Sequence, residues 1–173
     1  PIKQINIQFG HDRNFLGSGY RSMLLSDWSS PYLFLKMTTQ LGRFQYTNIW
    51  ANMLYNQENR KPETPINKKY AAIHHLSINL TKNFSLGIFE AEMYGRENGK
   101  LDANYFNPII FYRYLETYLG SADNAMIGVD IRWNFLKQFG FYSQFMLDEF
   151  KTSEYFGKKG SWGKKFGFQA GLK

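Results

Sequence analysis

What most constrains this chain is how its connections alternate. Three tight turns, Leu41-Gly42-Arg43-Phe44, Leu80-Thr81-Lys82-Asn83-Phe84 and Phe135-Leu136-Lys137-Gln138-Phe139, each carry a basic residue and deliver a Phe to the start of the next segment. Long polar connections at roughly 56–69, 95–125 and 151–160 fall between them. The intervening segments alternate apolar and polar residues with a period of two, as strands with one apolar face do. In an antiparallel meander successive connections lie at opposite ends, so this order sorts short and long loops by end. Up-and-down barrels of the outer membrane share the pattern: tight periplasmic turns, long external loops and aromatics at the interfaces. A soluble sandwich has no reason to sort its loops in this way.

The expected strands cover about 2–9, 32–41, 44–55, 70–81, 84–94, 126–136, 139–150 and 161–172. Ile5, Ile7 and Phe9 oppose Gln4, Asn6 and Gln8. Leu33, Leu35, Met37 and Leu41 oppose Lys36, Thr38 and Gln40. Ile127, Val129, Ile131, Trp133 and Phe135 oppose Gly128, Asp130, Arg132 and Asn134. The 44–55 segment is apolar and aromatic on both faces, which leaves its orientation open. Segments of about ten to twelve residues match the ~9–11 of a tilted spanning strand and exceed the ~5–6 usual in soluble domains. In lipid every backbone group must be paired, so such strands belong to a closed cylinder. The expected fold is therefore all-β, an antiparallel up-and-down transmembrane β-barrel, with one barrel domain over 1–173. Two irregular insertions interrupt it. The first, 10–31, has room for a short helical turn near 20–25; the second, 95–125, contains Asn107-Pro108-Ile109-Ile110, which opens either a short helix or an extra strand.

Composition narrows the classes. No apolar run approaches the ~18 residues of a spanning helix. The mean hydropathy of −0.46 does not argue against a barrel, because alternation hides the apolar half of each strand. Aromatics reach 18%, a level that suits rings anchored at membrane interfaces. The absence of Cys removes disulfides, thiolate chemistry and Cys-ligated zinc. The formal charge of +7 is dispersed through turns, loops and strands. Without a basic helix or an aromatic–basic platform it does not specify nucleic acid. The chain opens at Pro1 with no visible signal peptide, which reads as a processed protein or a fragment whose targeting segment lies upstream.

With the apolar faces turned outward, the lumen collects Lys36, Gln40, His75, Asn79, Glu90, Glu92, Asp130, Arg132, Asn134, Gln144 and Asp148. Lys36, Glu90, Glu92, Asp130, Arg132 and Asp148 are the charged members, expected to form a network of lumen ion pairs that shapes the wall. A polar channel or sugar-binding interior is the sharper reading. His74-His75 is no metal site, since neighbours on a strand point to opposite faces. Glu90 and Glu92 share a face about 7 Å apart, near glycosidase carboxylate separations, but neighbours on one strand seldom flank a substrate. Ser26-Asp27 lacks a positioned His and a nucleophile-elbow pattern. No catalytic constellation, metal site or cofactor is expected. In 10–31, glycines allow tight turns, and Arg13 and Arg21 are able to clamp carboxylates bidentately.

That segment carries a family resemblance. Gly10-x-Asp12-Arg13-Asn14-Phe15-x-Gly17-x-Gly19-Tyr20-Arg21-Ser22 and Leu24-Leu25-Ser26-Asp27, with Asn107-Pro108-Ile109-Ile110-Phe111-Tyr112-Arg113, Gly128-Val129-Asp130 and Leu147-Asp148-Glu149-Phe150, resemble the Wzi-like capsule-assembly proteins of the outer membrane. The nearer likeness is to the Bacteroidetes branch that includes RemB-type gliding-motility proteins. The resemblance implies a barrel of about eighteen strands, within the range such barrels span, of which this chain would be a segment. It implies binding or organising of surface or capsular polysaccharide without cleavage, and in the Bacteroidetes branch a link to gliding motility or type IX secretion. Asp12, Arg13, Asn14, Tyr20 and Arg21 become candidate polysaccharide ligands. The expected setting is the bacterial outer membrane, with lipid, surface polysaccharide and envelope proteins as partners and no nucleic acid. Two other readings stand beside it: a complete eight-stranded barrel enzyme acting on lipid A or phospholipid, and a soluble β domain of a secreted assembly.

Overall fold

Period-two alternation over this many residues has one stable outcome, a broad antiparallel sheet. The computed structural model describes residues 3–55, 67–96, 99–109, 123–148 and 165–173. Eight strands, β1 (Ile5–Asp12), β2 (Tyr32–Leu41), β3 (Phe44–Tyr55), β4 (Asn67–Asn79), β5 (Phe84–Tyr94), β6 (Asn124–Phe135), β7 (Phe139–Asp148) and β8 (Lys165–Leu172), pair antiparallel in chain order within a single sheet. β2, β3 and β5 fall where the alternation puts them; β1 begins a few residues later and β4 three residues earlier, inside the expected 56–69 loop, while the expected start of the last strand at 161–164 lies outside the described residues. The tight connections at 42–43, 80–83 and 136–138 all lie at one end of the sheet and the 13–31 connection at the other, while the expected long loops fall largely outside the described residues, at 56–66, 110–122 and 149–164. β1 and β8 are the two edges of the sheet and do not pair with each other.

The register runs without a bulge, so each face can be followed across all eight strands. One row reads Ile5, Thr39, Tyr46, Leu76, Ile88, Val129, Phe145 and Phe168. Its face is strongly exposed and apolar: Phe9 retains 74% and Phe168 66% of its accessible surface. The opposite face carries the row Gln40, Gln45, Ser77, Gly87, Asp130, Gln144 and Gln169. We call these faces outward and inward. β3, whose orientation the sequence leaves open, turns Phe44, Tyr46 and Trp50 outward and Thr47, Ile49 and Ala51 inward.

In β3–β5 the polarity of the two faces inverts halfway up. Toward the tight turns, Phe44, Leu76, Ile78, Leu86 and Ile88 point outward while Gln45, Ser77, Asn79 and Ser85 point inward. Toward the long connections, Ile49, Ala51, Ala71, Ile73, Phe89 and Ala91 point inward and form the core with Leu16 and Leu24. There the polar outward side chains include Asn48, His74, Glu90 and Glu92, all buried. Each inverted face is covered by a connection. Segment 13–31 folds over the inward face, and segment 99–109 over the outward face, where Tyr105 packs with Tyr70, Ala72 and Tyr94.

The two covers differ from the sequence expectations. No helical turn forms near 20–25; a single bridge pairs Leu16 with Leu25. In the second insertion a 3-10 turn, Ala103–Phe106, precedes the Asn107-Pro108 stretch, with Asp102 accepting from the Asn104 backbone amide at its start. Residues 107–109 form neither helix nor strand, and the continuation at 110–122 lies outside the described residues.

Candidate functional site

The inward cover is held by polar side chains that rise from the sheet. Asp130 is its centre. His75 Nε2 lies 2.7 Å from Asp130 Oδ1, and Ser18 donates to Oδ2 at 2.9 Å. Gly87 stands beside Asp130 in register, and a Cβ there would collide with both Asp130 and His75. The missing side chain is thus what lets the pair close. One strand further, Gln144 accepts from the Met23 amide at 2.8 Å and donates to Ser22 Oγ at 2.9 Å. Ser22 in turn accepts from the Leu24 amide at 3.1 Å. Gly17, at φ +97°, approaches Gln144 and Ser22 so closely that any side chain would clash. In the Ser18–Asp130–His75 chain the carboxylate sits between hydroxyl and imidazole. Asp130 therefore accepts from both, and the imidazole meets the carboxylate rather than the Ser18 oxygen. This order ties segment 13–31 to the sheet and differs from the hydroxyl–imidazole–carboxylate order of a serine triad.

The candidate ligand residues separate. Asn14 turns into the wall and is buried. Asp12 ends β1 and accepts from the Arg13 amide at 2.8 Å, and both residues are exposed. Tyr20 and Arg21 stay on the free side of the cover, with Trp28. The Arg21 guanidinium carbon is 3.9 Å from the Trp28 ring centre and 6.0 Å from that of Tyr20. Tyr20 is 72% and Trp28 71% exposed. The result is an open aromatic–cation–aromatic surface, of which the sequence indicated Tyr20 and Arg21 but not Trp28.

The expected lumen network is also redistributed. Glu90 and Glu92 are the correction. Both share a face with Ile88 and Val129, so they lie on the outward side, across the sheet from Lys36, Asp130, Arg132 and Asp148. The physical reason is the inverted half of β5: Phe89, Ala91 and Met93 are drawn inward by the apolar cover, and the carboxylates must take the other face. Glu90 stands opposite His74, and Glu92 opposite Ala72. On the inward face His75 pairs with Asp130, and the pair is charged only when the imidazole is protonated. Arg132 reaches Ser85 Oγ at 3.4 Å, and Asp148 faces Lys165 in register. His74 and His75 occupy opposite faces, as adjacent strand residues must.

The outward cover is anchored just as firmly. Arg96 forks onto Asp123 at 2.6 and 2.8 Å and onto Asp102 at 2.9 and 3.2 Å. The Asp123 hydrogen bonds, against the pull of burial and with help from Asp102, raise the guanidinium pKa above its ordinary value. Tyr105 donates to Asp123 at 2.7 Å and stacks on Tyr94 at 4.3 Å. Trp50 donates to the Tyr105 carbonyl at 2.9 Å, and Tyr70 to the Gly99 carbonyl at 2.8 Å. Tyr46 donates its only hydroxyl hydrogen to the Pro108 carbonyl at 2.6 Å. The 2.7 Å contact with His74 must then run from His74 Nδ1–H to Tyr46. Asn107-Pro108 marked the segment in the sequence, but its partners Tyr46, Trp50 and His74 carried no signal there. Among the described residues no group of three or more His, Asp or Glu is arranged to hold a metal ion.

No family model, curated protein or solved structure matches the chain.

Proposed function

We propose that this chain is part of the wall of a bacterial outer-membrane β-barrel that binds surface polysaccharide at its long-connection end without cleaving it. The observation that carries the reading is the apolar outward face. Ile7, Phe9, Leu41, Phe44, Trp133, Phe166, Phe168 and Leu172 stand exposed on one side of the sheet, while Asp130, Gln144 and His75 are buried on the other. In water an apolar sheet face of this extent would associate or aggregate; in a bilayer it is the required exterior. Long strands and loops sorted by end support the same assignment. The unpaired edges of β1 and β8 support a wall that continues into further strands, as in a barrel of about eighteen, because lipid leaves no backbone group unpaired. The likeness to capsule-assembly and gliding-motility proteins extends this to capsule, gliding or type IX secretion.

For polysaccharide, the support is the Tyr20–Arg21–Trp28 surface. The C–H faces of sugar rings pack on aromatic rings, and a guanidinium between them pairs with uronate or other acidic substituents. Because segment 13–31 is pinned to the wall, this surface faces a ligand without first having to be ordered. Against an enzyme stands the order of the Ser18–Asp130–His75 chain. The test is retention of the intact outer-membrane polypeptide on immobilised acidic surface polysaccharide. Trp28→Ala and Tyr20→Ala should each weaken retention about tenfold, the worth of one aromatic contact, while the exposed Arg43→Ala at the opposite end leaves it unchanged. Failure of the intact protein to retain any surface polysaccharide contradicts the reading.

A further inference from the structure

The outward cover does more than hide polar side chains, because it stands off from the sheet on one flank. Between segment 99–109 and strands β1 and β2 lies a cleft of about 340 Å³, within the range of small-molecule sites. Phe9, Leu33 and Leu35 form its strand side, Leu101 and Phe106 its cover side, and Trp50 is shared between them. These strand residues belong to two neighbouring outward rows, Phe9–Leu35–Trp50 and Leu33–Asn52–Tyr70–Tyr94. Trp50 is fixed by its bond to the Tyr105 carbonyl and by stacking on Phe106 at 5.8 Å. The aromatic wall is therefore set in advance rather than assembled by a ligand.

Beyond the lining residues Tyr70 and Leu101, toward the long connections, stand two lysines. Lys68 lies two residues beyond Tyr70 on the same face and packs beside Gly99. Lys100 adjoins Leu101. Both lysines are exposed, and neither has an ion pair among the described residues. Among the described residues the nearby carboxylates are occupied: Asp102 and Asp123 by Arg96, while Glu92 is buried beneath the cover. An apolar slot on the outward face, with two lysines beyond it at the level where strands give way to loops, matches one chemistry. We infer that the cleft is a specific site for an acyl lipid with a phosphorylated, anionic headgroup, the chain lying against Trp50 and Phe106 and the phosphate between Lys68 and Lys100. This rests on the membrane-wall reading and goes beyond it, since an ordinary lipid-facing wall shows no headgroup preference.

Trp50 is a built-in reporter. The intact polypeptide, with every other tryptophan replaced by phenylalanine, is reconstituted into phosphatidylcholine vesicles. Increasing fractions of dibrominated phosphatidylglycerol or dibrominated phosphatidylcholine are then included. A matching protein retains Trp133, which is outward and 49% exposed on β6, as the only tryptophan. Trp50 should be half-quenched at an on the order of tenfold lower fraction of the brominated anionic lipid. Trp133 should be quenched equally by both lipids, and Lys68→Ala with Lys100→Ala should abolish the Trp50 preference. Equal quenching of Trp50 by the two lipids, a preference that survives the lysine substitutions, or a Trp50 left unquenched beside a quenched Trp133 overturns the site while the membrane wall stands. Quenching of neither tryptophan by either lipid overturns both.

Discussion

At the scale of single residues, the fold depends on a few polar groups placed where a sheet face meets a connection. Asp130 satisfies His75 and Ser18 together, and nothing else among the described residues takes over either bond. Asp130→Ala leaves a buried imidazole N–H and a hydroxyl without their acceptor, a loss of about 2–4 kcal/mol for two such groups. Urea unfolding of the folded protein should show it as a lower midpoint with an unchanged slope. Lys36→Ala, half-buried on the same face and outside this network, should stay within about 0.5 kcal/mol of the parent. An Asp130→Ala protein as stable as the parent would remove the proposed lock from segment 13–31.

At the scale of elements, the strands were legible because a period of two needs no tertiary information, and the turns because Gly42-Arg43 and Lys82-Asn83 sit between such runs. The 136–138 turn was legible in place but not in conformation. Leu136 and Lys137 adopt φ of 51° and 61°, consecutive left-handed residues without a glycine. That conformation costs roughly 1–2 kcal/mol for an ordinary side chain, so Lys137→Gly should raise stability by about 1 kcal/mol in the same unfolding measurement; a decrease would show that the Lys137 side chain has an anchoring role. What the sequence hid was the inversion in β3–β5. Glu90 and Glu92 look inward if each strand is assigned one polar face. Their actual face is decided by Leu16, Leu24 and Tyr105, which arrive from elsewhere in the chain. The Arg96–Asp123 fork spans 27 residues and had no local signature. In the same way Tyr20 and Arg21 were readable as unusual residues, whereas their meeting with Trp28 followed only from how segment 13–31 folds back on the wall.

At the scale of the whole molecule, the sheet has an apolar outward face and an inward face that is polar toward the tight turns and apolar toward the long connections, each covered at that end by a connection. The inversion adds a refinement: the apolar outward band is full over β1, β2 and β6–β8, and over β3–β5 it is interrupted by the 99–109 cover, whose exposed Leu101, Phe106 and Ile109 carry the apolar surface onward. The phase of this arrangement is fixed residue by residue, and so is the most direct measurement of it. Nitroxide labels placed one at a time along 127–134 and at Phe168, in the reconstituted intact polypeptide, report oxygen against aqueous-reagent accessibility. The wall described here predicts a period of two, with Ile127, Val129, Ile131, Trp133 and Phe168 in lipid and Gly128, Asp130, Arg132 and Asn134 shielded from it. An aqueous environment at Val129 and Phe168 would contradict the membrane-spanning wall outright.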